Sequence, residues 1–259
     1  MFIYVHILVR TLGVSHLFYS SLTLSGPINS DTSVAEVMGS HLDTQAYLAK
    51  TSSAHPNFSY TSIREGIYAE STPHYTGFFN PRSSNDIDTT EILIPHDGKG
   101  RGITWAKRDE LGEATANVIA EYWKDAENFE YVNTKIMLTG PREWSLEETV
   151  EVLGRVVGRE ELGIREVSVE EYVQSEKVHE ALGGEDIARR WAAAFEAIRR
   201  GDTGVVTGDL ERWLGREPMG FEEVVRGCWG TAKYLRYWGR HRLGDVRYWS
   251  PNIGNATAI

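Results

Sequence analysis

The chain of 259 residues is long enough for one α/β domain, and 41% hydrophobic with 25% charged residues is typical of a globular protein. Its net charge of −10 argues against nucleic acid as a partner, because phosphate contacts dominate such binding. No apolar run approaches the roughly 18 residues that span a bilayer, so no membrane association is predicted. The single cysteine, Cys228, excludes an internal disulfide and predicts a reducing, cytoplasmic location.

The first elements are a helix and a strand. Residues 1–12 are apolar but interrupted by His6 and Arg10, which favours a buried helix over a signal peptide. Val14–Ser21 has the pattern of a buried parallel strand that ends in hydroxyl groups. Serines at a strand end either contact a ligand or cap the following turn.

A helix is predicted next. Ser33–Glu36 has the spacing of a capping box, and the helix is expected to extend to about Ala49. Four apolar residues form its inward stripe: Val34, Val37, Met38 and Leu42. His41 falls on the same stripe, as either a satisfied core histidine or a functional group.

The stretch YTSIREGIYAES is the strongest candidate for a site. Tyr60–Arg64 alternates as a strand does, Glu65-Gly66 breaks it, and Ile67–Ala69 begins a new segment. Ligands of open α/β sheets bind at the carboxyl ends of strands. Gly66 allows close backbone approach, and Tyr68 offers an aromatic face with a hydroxyl group. The alternative is an ordinary turn whose tyrosines pack in the core.

Two later loops are candidate binding segments. Thr72–Arg82 is rich in aromatic residues and either covers a substrate or forms a satellite core. Asp97–Gly102 reads DGKGRG, but it leads into a strand at Ile103–Trp105. A phosphate loop must open a helix, so this segment is predicted to be a connector.

Strands and helices continue to alternate through the second half. Strands are predicted at Ile136–Gly140 and Ile164–Val167. Three helices are predicted from their caps: one begins at Asp109, one begins with a capping box at Ser145–Glu148 and ends at Gly158, and one begins with a box at Ser168–Glu171. A further helix ends at Gly201 and carries an apolar stripe of Ile187, Trp191, Ala194, Phe195 and Ile198. This alternation predicts an α/β fold with a doubly wound parallel sheet, and a small helical substrate lobe after about Leu138.

Several segments resemble, in order, those of the NmrA-like family, a branch of the atypical short-chain dehydrogenase/reductase superfamily with an NAD(P)-binding Rossmann fold. They are GVSHLFYSSL at 13–22, HLDTQAYL at 41–48, YTSIREG at 60–66, WAKRDELGEATANVI at 105–119, IMLTGP at 136–141 and DLERWLGREP at 209–218. The resemblance extends from about Val14 to about Val225. It implies NADP or NAD as the cofactor and a small molecule as the substrate.

The resemblance also implies where the cofactor binds. In the wider superfamily a serine after the first of these strands contacts substrate near the nicotinamide, and Ser20 or Ser21 occupies that position here. The backbone of Gly66 and the adjacent Ile67 are expected to line the same end of the cofactor.

Two residues are candidates for the proton donor. His41 aligns where active relatives often carry a catalytic lysine, and Tyr68 stands at the predicted strand end. Tyr47 and Lys50 are one residue too close for the Tyr-x-x-x-Lys pair of the superfamily, so they are rejected.

The resemblance implies two regions. Residues 1–225 are expected to form a truncated NAD(P)-binding domain with its substrate lobe, because relatives carry a Gly-rich turn about a hundred residues before the YSS strand. Without that turn, weak or no NAD(P)H binding by this chain is expected. Residues 226–259 match nothing in the family and mix aromatic residues with six Lys/Arg against one acid. That composition suits single-strand binding, a partner-docking tail or a misread coding segment.

The implied function is an NAD(P)-dependent oxidoreductase, a tailoring reductase of secondary-metabolite biosynthesis. The alternatives are a non-catalytic regulatory protein that senses the dinucleotide, and the inert product of a decayed gene. No oligomeric state is predicted.

Overall fold

The computed structural model describes residues 13–81, 83 and 86–229. The helix predicted at 1–12 lies outside the described residues, and so does the predicted tail after residue 229. The boundary predicted after residue 225 falls within a helix that spans Phe221–Trp229.

Strands and helices alternate along the chain. The first half contains β1 (His16–Leu22), α1 (Glu36–Ala54), β2 (Ser59–Glu65), β3 (Ile67–Tyr68), a 3-10 turn (Ala69–Ser71), α2 (Thr72–Tyr75), β4 (Glu91–Ile94) and β5 (Trp105–Ala106). The second half contains α3 (Arg108–Lys124), β6 (Thr134–Leu138), α4 (Leu146–Val157), β7 (Gly163–Glu166), α5 (Val169–Val173), α6 (Glu176–Leu182), α7 (Glu185–Arg200), α8 (Asp209–Leu214) and α9 (Phe221–Trp229).

All the strands named above pair in parallel. The central sheet has the order β1-β2-β6, while β3 pairs with β5 and β4 pairs with β7. The register of the central sheet places Leu22 opposite Glu65 and Glu65 opposite Leu138, so three strand ends meet at one edge. The predicted α/β fold with a parallel sheet is confirmed.

Helices cover both faces of the central sheet. On one face, Leu48 of α1 packs with Phe58 and Tyr60. On the other face, Ile63 of β2 clusters with residues of α3, including Leu111. Successive residues of a strand point to opposite faces, so β2 contributes to two separate cores.

Two of the predicted helix caps are wrong. Helix α1 begins at Glu36 after Ala35, which makes no side-chain cap. The hydroxyl of Ser33 instead donates to the Leu24 carbonyl and accepts the Ala35 N–H at 3.1 Å. The helix also extends past Ala49 to Ala54.

Helix α3 has its start capped from a distant part of the chain. Asp109, the predicted cap, lies in the first turn, and the residue before the helix is Lys107. The Glu70 carboxylate accepts the backbone N–H of Arg108 at 3.2 Å. A free N–H at a helix start is thus satisfied by tertiary structure, which sequence spacing does not reveal.

Other local predictions are confirmed. Ser145 and Glu148 form both bonds of a capping box, at 3.0 Å and 2.8 Å, and α4 ends at Gly158 in the left-handed conformation. Ser168 caps α5 through the Glu171 N–H. The stripe on α7 is wrong at Ile187, which is 43% exposed.

Neither a membrane-spanning helix nor a metal-binding cluster is found among the described residues. Within residues 13–81, 83 and 86–229, no helix has the length and apolar composition needed to cross a membrane. Over the same residues, no group of three or more His, Cys, Asp or Glu side chains is arranged to hold a metal ion.

The half-buried His16 should make stability depend on pH. Its ring stacks on Tyr122 at 4.1 Å and bonds Ser59 at 2.7 Å, and burial lowers its pKa from 6.5 to about 4. The unfolded chain therefore binds more protons between these values, so this stabilisation is complete above about pH 6.5 and is lost as the pH falls to 4. Because solvent screens a half-buried group, we expect a loss of about 1 kcal/mol.

Urea unfolding at neutral and acidic pH measures this dependence. The variant His16→Gln should lose stability less steeply on acidification than the unmodified chain. If the free energy of unfolding falls equally steeply with pH in the two proteins, the assignment to His16 is contradicted.

Candidate functional site

The carboxyl ends of β1, β2 and β6 form the candidate site, since ligands of such sheets bind beyond these ends. The Gly66 N–H donates to the Leu138 carbonyl at 2.7 Å. A Cβ on Gly66 would lie 2.9 Å from that carbonyl oxygen and 3.3 Å from the Ala106 side chain. Close packing of strands therefore requires glycine here, in addition to any need for ligand approach. Ile67 is buried in the main core and pairs with Trp105 in the β3–β5 ladder.

The two candidate serines have different surroundings. Ser20 is exposed, whereas Ser21 is 1% exposed and points to the opposite face of β1. The Ser21 hydroxyl accepts a hydrogen bond of 3.0 Å from Nε2 of Gln45 on α1. Of the two, only Ser21 belongs to a buried polar network.

That network continues to a buried arginine. Arg64 is fully buried and lies directly opposite Ser21 in the β1–β2 register. Its Nε donates to Oε1 of Gln45 at 3.1 Å and its Nη2 donates to the Ser30 carbonyl at 2.9 Å. Its Nη1 has no partner in the part of the chain that the structure describes. Burial lowers the pKa of Arg64, although the nearby Asp31 opposes this effect.

His41 lies on the same side of the sheet. Its Nδ1 is 2.9 Å from the Tyr19 hydroxyl, and its carbonyl accepts from Gln45 Nε2 at 3.1 Å. Burial lowers the pKa of His41, so the imidazole is neutral near pH 7. The imidazole thus contacts β1 at Tyr19, two residues before Ser21.

Tyr68 lies on the other side. Its hydroxyl donates to Oε2 of Glu65 at 2.7 Å, and its ring packs on the core that contains Ile63. Burial, and then the charge and hydrogen bond of Glu65, raise the pKa of Tyr68 well above its usual value. The phenol therefore holds its proton firmly. His41 and Tyr68 flank the sheet on opposite faces and do not form a pair.

The segment that follows α7 contacts the loop after β1 and the end of β6. The Gly26 N–H donates to the Asp202 carbonyl at 2.9 Å, and the Thr207 N–H donates to Oγ1 of Thr139 at 2.8 Å. Burial raises the pKa of the Asp202 carboxyl. The segment after α7 thus joins the loop after β1 to the end of β6.

Polar groups at this edge fit one half of a dinucleotide. The hydroxyls of Thr23 and Ser25 and Nη1 of Arg64 are buried without partners among the described residues, and they suit a polar nicotinamide group. A diphosphate binds most favourably at a helix N-terminus with free N–H groups and no nearby negative charge. Helices α1 and α3, which follow β1 and β5, carry acids in their first turns and are therefore unfavourable places for that half of the ligand.

Sequence reasoning missed Gln45, Arg64 and Glu65 as members of this site. A usable signal existed for Arg64, because Ser62 and Arg64 are polar residues two apart on one strand face. Gln45 lies four residues after His41 on α1, where the same face of the helix repeats.

Sequence comparison finds one informative relative. No family model matches the chain. It is 28% identical over 219 residues to an NmrA-like family domain-containing oxidoreductase, flvB, of Aspergillus flavus. The match covers 84% of this chain and 63% of that relative, so the chain spans less than two thirds of its length.

Solved structures share the fold. A nucleoside-diphosphate-sugar epimerase from Staphylococcus aureus matches with a TM-score of 0.63 at 17% identity, over 86% of this chain and 68% of its own. An NADPH-dependent quinone oxidoreductase from Escherichia coli, complexed with NADPH, matches with 0.63 at 19%, over 83% and 66%. The negative transcriptional regulator NmrA, complexed with NADP, matches with 0.53 at 16%, over 88% and 68%.

At such identities these structures establish the fold alone. The sequence match with an NmrA-like protein covers most of the chain. The resemblance of this chain to the NmrA-like family is therefore confirmed, and its fold is the Rossmann-type fold of NAD(P)-dependent reductases.

Proposed function

We propose that this chain is an NAD(P)-dependent oxidoreductase whose small-molecule substrate binds beyond the carboxyl ends of β1, β2 and β6. The observation that carries the proposal is the buried polar network of Ser21, Gln45 and Arg64 at this edge. Burying an arginine and two polar side chains costs free energy that their hydrogen bonds offset only in part, because Arg64 Nη1 has no partner among the described residues; such a network is a candidate for a functional site. The fold is that of NADPH-dependent reductases, which supports a dinucleotide as the ligand.

In this proposal the cofactor supplies the hydride and the chain orients the reactants. Ser21 and the backbone of Gly66 and Ile67 hold the nicotinamide end, while Ser20 on the exposed face faces solvent. The buried strand ends exclude water from the reacting groups.

A proton must reach the substrate oxygen or carbon, and two groups are candidates. When the Tyr19 hydroxyl donates to Nδ1 of His41, the imidazole carries its proton on Nε2 and can donate it there. Tyr68 donates its proton to Glu65, so it must leave that carboxylate before it can serve a substrate. We therefore propose His41 as the first candidate and Tyr68 as the second.

The finer assignment is a tailoring reduction in secondary-metabolite biosynthesis, in the cytoplasm, on a carbonyl group or a conjugated alkene. It is supported by the resemblance to NmrA-like proteins and by the relative flvB, which is itself named an oxidoreductase. NADP is favoured over NAD because the solved relatives contain NADPH or NADP.

A second candidate is a regulatory protein that binds the dinucleotide without turnover. The neutral His41 and the raised pKa of Tyr68 favour it, because neither group releases a proton readily. Binding without turnover is what separates this candidate from a reductase.

Oxidation of NADPH in the presence of aldehydes, ketones and conjugated alkenes tests the two candidates. For a reductase we expect turnover that falls about 100-fold in His41→Asn or in Tyr68→Phe, depending on which group donates the proton. NADPH binding, measured by calorimetry, should change little in both variants.

The variant Tyr47→Phe, at a tyrosine rejected on spacing, is the matched control and should retain full turnover. NADPH binding without any turnover across the substrates would contradict the reductase and favour the regulatory protein.

A further inference from the structure

The orientation of the Gln45 amide is fixed by two neighbours that leave no choice. Arg64 Nε can only donate, so Oε1 of Gln45 must face it, at 3.1 Å. The carbonyl of His41 can only accept, so Nε2 of Gln45 must face it, also at 3.1 Å. Both constraints agree, and they direct the amide N–H toward Ser21.

The direction of the Ser21 hydroxyl proton follows from this orientation. A serine hydroxyl has one proton and can either accept or donate toward a given neighbour. Because Gln45 Nε2 donates, Ser21 Oγ accepts, and its proton points elsewhere. No described residue accepts that proton from Ser21.

A second donor lies beside it. Arg64 faces Ser21 across the β1–β2 register, on the same face of the sheet, and its Nη1 has no partner among the described residues. Neighbouring strands are about 4.8 Å apart, so the two side chains are adjacent. Two donors without acceptors, in a buried setting, suit an oxygen that accepts two hydrogen bonds.

We propose that Gln45 is a positioning residue that keeps the Ser21 hydroxyl a donor, so that Ser21 and Arg64 Nη1 together bind a carbonyl oxygen of the ligand. This inference rests on the proposed reductase function. The oxygen belongs either to the substrate carbonyl or to the carboxamide of the cofactor, which share this chemistry.

The variant Gln45→Glu separates positioning from packing. Glutamate fills the same space and accepts from Arg64 with its charge, but its second oxygen has no proton to donate to the His41 carbonyl, so the melting temperature should fall less than in a variant that also loses the bond with Arg64. A carboxylate cannot donate, so the Ser21 hydroxyl turns to donate to it and is lost to the ligand. We expect kcat to fall about 100- to 1,000-fold, the loss typical of one donor in such a site.

The variant Gln45→Met should be less stable but more active than Gln45→Glu. It removes all three hydrogen bonds of the Gln45 side chain and should lower the melting temperature, but it does not capture the Ser21 proton. We expect its kcat to fall less than that of Gln45→Glu. A purely structural role of Gln45 would rank activity in the order of stability, with Gln45→Met the less active.

The experiment uses the full chain with NADPH and two probes, benzaldehyde for a carbonyl and cinnamaldehyde for a conjugated alkene. Ser21→Ala should lose activity as Gln45→Glu does, and Ser53→Ala, on the exposed side of α1, should lose none. If the oxygen belongs to the substrate, kcat falls and the affinity for NADPH is kept. If it belongs to the carboxamide, the affinity for NADPH falls as well.

The inference is overturned if Gln45→Glu keeps full kcat, or if its activity exceeds that of Gln45→Met. A melting temperature of Gln45→Glu below that of Gln45→Met would overturn the Arg64–Gln45 geometry itself. A wild-type chain that turns over neither probe would contradict the proposed function and this inference together. An active wild type with an equally active Gln45→Glu variant would contradict this inference alone.

Discussion

Replacing Trp105 by alanine is expected to lower the free energy of unfolding by about 4 kcal/mol, the range for removing a large aromatic side chain from a core. The Trp105 side chain is 1% exposed, and its ring stacks on Phe221 at 5.3 Å and meets Tyr75 edge-on at 5.5 Å. Its indole N–H donates to Oγ1 of Thr149 at 3.0 Å. Strand β5 is thereby attached to α2, α4 and α9 through one side chain.

Two variants calibrate this expectation in urea unfolding. Trp105→Phe keeps most of the ring contact and loses the N–H donor, so it should lower the stability by about 1–2 kcal/mol. Trp123→Ala removes a tryptophan that is 79% exposed, and it should change stability by less than about 0.5 kcal/mol. Equal losses at Trp105 and Trp123 would contradict the burial described for Trp105.

The sequence predicted the alternation of strands and helices because local signals and tertiary structure agree there. The break at Glu65-Gly66 and the box at Ser145–Glu148 are formed within a few residues of chain. The predicted caps at Ser33 and Asp109 failed because distant groups satisfy the same atoms. Leu24 takes the Ser33 hydroxyl, and Glu70 accepts from the start of α3.

The side chains that meet at the candidate site could not all be predicted from the sequence. Alternation along β1 requires Ser20 and Ser21 to face opposite ways, yet only the packing of α1 decides which of them is buried. Gln45 and Arg64 are 19 residues apart, and a hydrogen bond between two such residues leaves no local pattern in the sequence.

The two candidate proton donors have different electrostatic surroundings at the strand ends. Tyr68 is held by the carboxylate of Glu65, which stabilises the protonated phenol. His41 is bonded to a hydroxyl and carries no charge near pH 7, so its second ring nitrogen can hydrogen-bond a substrate, although the neutral ring releases a proton poorly. For this physical reason His41→Asn is the more informative of the two variants.

Replacing Gly140 by alanine is expected to lower the free energy of unfolding by about 3 kcal/mol, at the upper end of the range for overpacking. Gly140 follows β6, and a Cβ there would overlap the backbone carbonyl of Trp105 on β5. A backbone carbonyl cannot rotate away as a side chain does, so the strands themselves must separate.

The separation should also reach the candidate site, because the end of β6 contacts Gly66 through the Leu138 carbonyl. We therefore expect Gly140→Ala to weaken NADPH binding in calorimetry as well as stability in urea. The matched control is Gly112→Ala in α3, where a Cβ meets nothing within 4 Å and helix propensity predicts a gain of about 0.5–1 kcal/mol. A Gly140→Ala protein as stable as Gly112→Ala would contradict the contact between β5 and the end of β6.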